Sequence, residues 1–340
     1  MKPRLSGLVI RPQWRRSGDT TITLISAVLG IAALLGAVVG LLAHQLDTAW
    51  QPMIIAAAAA HQLLWAAPVA VILFGLARRW SLLAAACLVL ALAAFSQAPL
   101  YVGSTHPDAA HGITVLQANL KVGSADPTRL AAIVAAQHVD LLMTEELTPP
   151  ERDRLIDAGL PDQLPYRFVG GLPGSGDDVA MWSRYPLLRR HNCRGFELGV
   201  LKASLQLSRG RTVSVFAVHL LPPYPYPARE WLMEMTRLRH LLAAAATRGG
   251  PVVVAGDFNA TPDQAQFRGL LSAGYADAAE QVGAGYLSTY PTDRWFPPLI
   301  AIDHVLSRHA PADTVSTVDM PGSDHRALLA HLELPTPRSG

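Results

Sequence analysis

The pattern of hydrophobic and polar positions divides the chain into two parts. The first hundred residues contain three apolar runs, each about long enough to cross a lipid bilayer. Aromatic residues of the kind enriched at membrane–water interfaces stand at their edges, at Trp50, Trp80 and Tyr101. The pattern predicts an N-terminal region of residues 1–103 with three transmembrane helices, at about residues 21–43, 53–77 and 82–100.

The second part alternates short apolar runs with turn signals. A polar linker at residues 104–112 precedes it, and a Gly- and Pro-rich loop at Gly170–Asp178 is expected to be mobile. Strands are predicted at 113–118, 139–144, 179–183, 201–207, 212–218, 252–254, 301–306 and 327–332. Helices are predicted at 127–138, 149–158, 228–246 and 267–273. Antiparallel neighbours outnumber βαβ units, so the pattern predicts one α/β or α+β layered sandwich over residues 113–334.

Charge is distributed unevenly between the two parts. The first hundred residues hold seven basic and two acidic residues, which leaves 21 basic and 24 acidic residues beyond them, from totals of 28 and 26. The second part therefore lacks the basic bias of a domain that binds a nucleic-acid backbone. Basic residues precede the first span and recur at Arg78 and Arg79, which predicts a cytoplasmic N-terminus and an extracytoplasmic domain after Tyr101. Cys87 and Cys193 fall one in each part, so no disulfide framework or zinc cluster is expected.

Acids, amides and imidazoles recur at the ends of predicted strands. The stretch Val252–Asp263, VVVAGDFNATPD, shows this best, because a β-branched run leads into an acid and an amide. The full set is Asn119, Glu146, His219, Asp257, Asn259, Asp303, Asp324 and His325. One such residue is usually a turn former, but repetition favours a shared site. Carboxylates suit Mg²⁺ or Mn²⁺, and a histidine paired with an aspartate can act on a phosphate, so the set predicts metal-assisted phosphoester hydrolysis.

An ordered series of motifs carries a specific resemblance. The segments are QAN, TEEL, SRYPL, VHL, GDFNATPD, IDHVL and GSDHRAL, spread over about Gly112 to Leu332. In this order they resemble the endonuclease/exonuclease/phosphatase superfamily, which has the DNase I-like fold. The resemblance implies a four-layer sandwich of two packed, mainly antiparallel sheets flanked by helices, and phosphoester cleavage with a divalent cation.

The resemblance also implies roles for individual residues. Glu146 would be the main metal ligand, supported by Asn119 and Asp324. Glu145 stands where the family has Gln, so both glutamates remain candidates. Asp257 would activate the attacking water and Asn259 would contact the phosphate. The phosphoryl group would be bound by His219 and by His325, which Asp303 orients.

Two apolar, aromatic loops bear on the substrate. They are Leu220–Tyr226 and Tyr290–Ile300, and they suggest Tyr224, Tyr290 and Trp295 as contacts for a lipid substrate, although rigidification of the loops explains them equally. Three spans followed by this domain are also similar to membrane phosphatases of the VanJ type, which implies a polyprenyl (di)phosphate substrate.

The sequence thus predicts a multi-pass protein of a bacterial cell membrane that hydrolyses a lipid-linked or small phosphoester outside the cytoplasm. An extracytoplasmic nuclease acting on DNA is the alternative, and an inactive binding module is a third.

Overall fold

A computed structural model describes residues 14–104, 112–171 and 178–335. Most of the predicted linker and of the predicted mobile loop lie outside these ranges. The helices are α1 (Trp14–Gln45), α2 (Gln51–Ala58), α3 (Ala60–Leu64), α4 (Ala66–Leu76), α5 (Trp80–Tyr101), α6 (Pro127–Ala136), α7 (Pro149–Asp157), α8 (Leu160–Gln163), α9 (Ala228–Ala246), α10 (Ala265–Leu270) and α11 (Ala278–Val282). The strands are β1 (Gly112–Asn119), β2 (Leu141–Leu147), β3 (Tyr166–Gly170), β4 (Asp178–Ser183), β5 (Leu187–Cys193), β6 (Gly199–Ser208), β7 (Arg211–His219), β8 (Val252–Asp257), β9 (Ala276–Asp277), β10 (Asp303–Arg308), β11 (Ala312–Val318) and β12 (Ala327–Glu333).

Two of the N-terminal helices, α1 and α5, are long and apolar enough to cross a membrane. The expected middle span is not one continuous helix, because it is interrupted at Ala59 and again at Trp65. Pro68 lies in the first turn of α4, and a helix continuing through it from α3 would lack the N–H that bonds to the Leu64 carbonyl. The described helices therefore include two candidate spans, or three if the broken stretch counts as one.

Contacts divide the chain into two units. The described part of the first comprises residues 14–41 and 62–95. Its best-packed point is the fully buried ring of Phe74, which lies with Ala70 and Ala86. The Cα of Gly30 lies so close to this ring that an added Cβ would approach it to 2.8 Å, so glycine allows tight helix packing here. The second unit contains residues 42–61 together with everything from residue 96 onward that the structure describes.

Two six-stranded sheets form the centre of the second unit. Their strand orders are β11-β12-β1-β2-β4-β3 and β5-β6-β7-β8-β10-β9. The pairs β1–β2 and β7–β8 are parallel, and the other pairs are antiparallel, including β6–β7 as predicted. The mixed, mainly antiparallel sheets with flanking helices confirm the predicted DNase I-like sandwich.

Strand β8 is apolar on both faces because it is buried on both faces. Val253 and Ala255 belong to the core that both sheets share, whereas Val252 and Val254 pack in the cluster that contains Trp231 of α9. On the other sheet, residues of α6 pack in a separate cluster with residues of β1 and β2. Packing on both faces thus fixes the strand, and its polar C-terminal end lies at one edge of the sandwich.

Parts of the N-terminal helices pack with the sandwich in this second unit. Asp263, which is fully buried, accepts hydrogen bonds from Nδ1 of His44 at 2.8 Å and from Nε2 of Gln97 at 2.7 Å. His44 lies at the C-terminal end of α1 and Gln97 near the C-terminal end of α5. Both long helices therefore end against the same loop of the sandwich, the loop that follows β8.

Gly256 allows β7 and β8 to meet just before the polar end of β8. It pairs with Val218, and an added Cβ would lie 1.8 Å from the Val218 carbonyl oxygen. We expect Gly256→Ala to lower the free energy of unfolding by at least about 3 kcal/mol, because rigid backbone must shift to admit the methyl group. Thermal unfolding of the full-length protein in detergent measures this loss.

Gly210→Ala is the matched control. Gly210 also has a positive φ, of 78°, but has open space around it, so the loss should be only about 1 to 2 kcal/mol. Equal losses for the two variants would contradict a steric role for Gly256.

Candidate active site

The ends of strands from both sheets meet at one edge of the sandwich. In the second sheet, His219 at the end of β7 pairs with Asp257 at the end of β8, and Asp303 at the start of the antiparallel β10 pairs with Asp257 from the other side. In the first sheet, Asn119 pairs with Glu145. Side chains from these strand ends, or close to them, line a cavity of about 540 Å³; its charged, amide and imidazole members are Glu146, His219, Asp257, Asn259, Gln264, Asp324 and His325.

His325 is held by Asp303. Its Nδ1 donates to Oδ2 of Asp303 at 2.8 Å, and Nε2 lies 3.9 Å from Oδ2 of Asp257. Burial alone would lower the pKa of His325, but the charge and hydrogen bond of Asp303, together with the charges of Asp257 and Asp324, raise the pKa to about 10. His325 is therefore an imidazolium at neutral pH and presents a charged donor toward Asp257.

Asp303 is itself tightly held. Burial acts to raise its pKa, but the charge of His325 and hydrogen bonds from His325, Thr289 and Gln117 hold the pKa below its usual value. Its Oδ1 accepts from Nε2 of Gln117 at 2.7 Å. Asp303, His325 and Asp257 bring potential ligand atoms within 4.8 Å of one another. Because both oxygens of Asp303 are occupied by protein donors, this trio is better described as a hydrogen-bonded network that orients His325.

His219 is in the opposite protonation state. Burial and the nearby charge of His325 lower its pKa to about 3, although the charge of Asp303 opposes them. Its Nε2 lies 3.8 Å from Asp257 and 4.0 Å from Glu146. Because the ring is neutral, these are polar contacts and not ion pairs. The cavity thus contains one charged and one neutral imidazole.

Asp257 lies at the centre of the site. Its Oδ1 accepts from the backbone N of Asn259 at 2.8 Å, and its Oδ2 accepts from Nδ2 of Asn119 at 3.2 Å. Burial and the charge of Asp303 raise the pKa of Asp257 to about 7, while His325 and the Asn259 hydrogen bond act in the opposite sense. A carboxylate with a pKa near neutrality is suited to accept a proton.

The two adjacent glutamates face different surroundings. A β-bulge between Thr144 and Leu147 contains both, and Glu146 has a left-handed backbone with φ of 54°. Glu146 lines the cavity and accepts from Nδ2 of Asn119 at 3.1 Å and from the backbone N of Val122 at 2.8 Å. Glu145 is fully buried and accepts from Gln117 at 2.8 Å, and burial followed by the charge of Asp303 raises its pKa well above the usual value.

The oxygen donors facing the cavity fit a hard divalent cation. Glu146 and Asp324 both line it, and the amide of Asn119 bridges the carboxylates of Glu146 and Asp257. The repulsion between Glu146 and Asp257 contributes to the raised pKa of Asp257, so a cation beside them would relieve an unfavourable concentration of negative charge. Glu146 and Asp324 are thus the predicted ligands whose oxygens could hold a metal. Asn119, whose Oδ1 accepts from the backbone N of Lys121, instead positions the carboxylates beside it.

Of the residues suggested for substrate contact, two line the cavity and one does not. Tyr224 and Tyr290 line it, and the ring of Tyr290 lies 4.8 Å from that of His325. Trp295 is 95% exposed and contacts Phe296, away from this lining. Asn259 is held by a hydrogen bond from its Nδ2 to the Leu220 carbonyl at 2.8 Å.

Sequence reasoning missed two contributors. Gln117 donates to both Glu145 and Asp303, and its only signal was its position in the QAN motif. Ile55 and Ala58 of α2 also line the cavity, although they belong to a run that reads only as a membrane span. No pattern in the sequence places that helix next to Asp257.

The chain is similar in sequence to a curated protein. In sequence, the chain is 36% identical over 104 residues to the inositol phosphosphingolipids phospholipase C of Schizosaccharomyces pombe, an alignment that covers 29% of this chain and 23% of that protein. The chain therefore matches about a quarter of the length of this curated relative.

Solved structures share the fold. D. rerio TDP2 complexed with a single-strand DNA product has a TM-score of 0.54 at 19% identity, over 65% of this chain and 98% of that one. Sphingomyelinase C from Streptomyces griseocarneus has a TM-score of 0.50 at 20% identity, over 65% of this chain and 99% of that one.

A family model matches most of the sandwich. It is described as the endonuclease/exonuclease/phosphatase family and covers residues 116–325, a span that begins in β1 and ends at His325. Members of this family hydrolyse phosphoester bonds and typically depend on a divalent metal. The chain therefore belongs to the endonuclease/exonuclease/phosphatase family of hydrolases.

Proposed function

We propose that the protein is a membrane-anchored hydrolase, dependent on Mg²⁺ or Mn²⁺, that acts outside the cytoplasm on a lipid-linked phosphoester such as a polyprenyl diphosphate. The observation that carries this proposal is the composition of the cavity. The polar side chains of Asp257, His219 and His325 line it together with an apolar or aromatic surface formed by Pro222–Tyr226, Tyr290 and Ile300. Such a cavity matches a molecule with a phosphate at one end and a hydrocarbon chain at the other.

Each polar residue of the cavity has a separate role in the proposed hydrolysis. Asp257 accepts a proton from water as the water oxygen forms a bond to phosphorus and the bond to the leaving oxygen breaks. The charged Nε2 of His325 donates to a phosphoryl oxygen, and neutral His219 can donate a second hydrogen bond without adding charge. A divalent cation held by Glu146, with Asn119 and Asp324 beside it, would polarise the phosphoryl oxygen as a Lewis acid.

The lining of the cavity favours a lipid over nucleic acid. Among its described lining residues none is Lys or Arg, whereas nucleic-acid grooves rely on such residues to neutralise phosphates along the backbone. The acidic balance of residues 101–340 agrees with this. A single phosphate group bound by His325 and a cation needs no extended basic surface.

The arrangement of the helix ends supports the proposed location. Asp47 and Thr48, in the short loop after α1, are bonded to Gln266 of the sandwich, and His44 and Gln97 are bonded to Asp263. These bonds support placing the loop after α1 and the sandwich on the same side of the membrane. With Arg78 and Arg79 cytoplasmic, as positive charges in short loops favour, that side is extracytoplasmic.

Glu146→Gln should weaken metal binding, because it removes the anionic oxygen that faces the cavity. We expect the apparent Kd for Mg²⁺ or Mn²⁺ to rise at least about tenfold. Metal-dependent thermal stabilisation of the full-length protein measures the affinity independently of turnover. Glu145→Gln is the control: Glu145 is fully buried, accepts from Gln117 and does not line the cavity, so the affinity should change little. The reverse ranking would reassign the ligand to Glu145.

Loss of the proposed base or of the charged donor should abolish most activity. Asp257→Asn and His325→Gln are each expected to lower kcat about 10²- to 10⁴-fold, the usual contribution of such groups. Steady-state hydrolysis of a phosphoester, with Tm recorded for each variant, tests this. Asp319→Asn changes an exposed aspartate that pairs with Arg326 and should keep wild-type kcat. Retention of full activity by either site variant would refute the assignment.

The substrate class can be tested on the full-length protein in detergent with Mg²⁺ or Mn²⁺. We expect release of inorganic phosphate from a polyprenyl diphosphate and little nicking of plasmid DNA. Asp257→Asn serves as the control for contaminating activities. Efficient nicking without phosphate release from the lipid would replace the proposed function with that of a nuclease.

A further inference from the structure

We propose that α2 is a part of the active site that receives the hydrocarbon chain of the substrate next to its phosphate. The inference rests on the proposed function and extends it, because it gives a segment otherwise read as a membrane anchor a direct role in substrate selection. It depends on three features of the second unit: the face that α2 presents, the bonds that fix it, and its chemical character.

The first feature is the face of α2. Ile55 and Ala58 are three residues apart and so lie on one side of the helix, and both line the cavity that contains Asp257 and His325. Ile55 is 41% exposed, so its side chain offers open apolar surface to whatever occupies that space. Ile300 contributes to the same wall. The lining of the cavity that contains Asp257 and His325 therefore includes part of an apolar helix face.

The second feature is that α2 is fixed on the sandwich through Ile54. This side chain is 1% exposed and belongs to the same buried cluster as Phe258 and Phe267, which flank the loop after β8. Nε2 of Gln264 donates to the Ile54 carbonyl at 3.2 Å, and Oε1 of Gln264 accepts from the backbone N of Thr261 at 2.8 Å. The helix is therefore bonded to the loop that begins at Asp257.

The start of α2 holds the second loop of the site. Nε2 of Gln51 donates to the carbonyl oxygens of Pro223 and Tyr226, at 2.9 and 3.1 Å. The Pro222–Tyr226 segment forms part of the cavity wall, so one helix is bonded to two of the loops that line the cavity. Because these contacts fix α2 before the substrate binds, less conformational entropy is lost when a flexible hydrocarbon chain binds against it.

The third feature is the apolar character of the helix and of the segment that follows it. The sequence of α2 is QPMIIAAA, and no Lys, Arg, Asp or Glu occurs from Gln51 to Ala77. Together with the helices that follow, α2 is long and apolar enough to form a bent membrane segment. Trp50, 62% exposed, precedes it, a position typical of the membrane interface. A lipid chain can thus remain in apolar surroundings while its phosphate reaches Asp257.

Substrates of graded chain length test this inference on the full-length protein in detergent. For the wild type, kcat/KM should rise from a five-carbon isoprenyl diphosphate to longer isoprenyl diphosphates, because each buried CH₂ adds favourable transfer energy. Alkyl diphosphates of equal carbon number, as a parallel series, distinguish an isoprenoid chain from a straight chain as the preferred ligand.

Two variants change the proposed wall in different ways. Ile55→Ser removes apolar surface and Ala58→Phe fills the space, and each should lower the ratio of long-chain to short-chain kcat/KM at least about tenfold. Ile31→Ser is the matched control, since Ile31 on α1 is similarly exposed, at 44%, and does not line the cavity. Its kinetic constants should equal those of the wild type. Tm values establish that all three variants are folded.

The outcomes separate this inference from the proposed function. If the wild type prefers long chains but both α2 variants keep the wild-type ratio, the role of α2 is overturned and the proposed function stands. If the wild type hydrolyses all chain lengths equally, the role of α2 is also overturned and the proposed function stands. If the wild type hydrolyses no lipid diphosphate, both are overturned. A lowered ratio in both α2 variants, with an unchanged Ile31→Ser, supports the assignment.

Discussion

The site depends on hydrogen bonds that pass from one sheet to the other. Gln117 of the first sheet donates to Asp303 of the second, and Asn119 donates to Asp257 in the same way. Buried carboxylates are costly unless such donors satisfy them, so the two sheets are stable only in the register that aligns these pairs. A slip of one residue in β1 would turn both amides to the opposite face. The packing of the sandwich and the assembly of the site are therefore one requirement.

Two histidine side chains in the same buried cavity have different protonation states. His325 and His219 are both buried in the same cavity, yet Asp303 stabilises a positive charge on the former, and that charge disfavours a second on the latter. The distinction follows from which ring has a carboxylate bonded to Nδ1. A single partner thus decides which imidazole is a cationic donor and which is a neutral one.

Much of the site can be predicted from the sequence because its residues stand in short motifs beside predicted strands. The stretch GDFN places an acid and an amide directly after a buried strand, and IDH and SDH place acids and imidazoles at or just before the start of one, so strand ends could be found from periodicity alone. The choice between Glu145 and Glu146 could not, since the bulge in β2 decides which acid faces the cavity. Strand β5, LLRRHNC, was also missed, because five of its seven residues are exposed and polar or charged residues dominate it.

The place of α2 could not be predicted for a different reason. A hydrophobic run has the same pattern whether it faces lipid or the core of a domain far along the chain, and Ile54 and Gln264 are 210 residues apart. Prediction from periodicity uses neighbours along the helix, and Ile54 is buried by residues that no local pattern connects to it.

The burial of Ile54 has a consequence for the order in which the protein forms. Synthesis from the N-terminus produces α2 long before β8 and the loop that follows it, so this core can be completed only after segments from both ends of the chain are present. The sandwich cannot reach its final packing as an independent body, because the cluster around Phe258 lacks a member until it meets α2. Completion of the cavity is therefore coupled to the docking of α2, and a chain in which α2 failed to dock would lack part of the cavity wall.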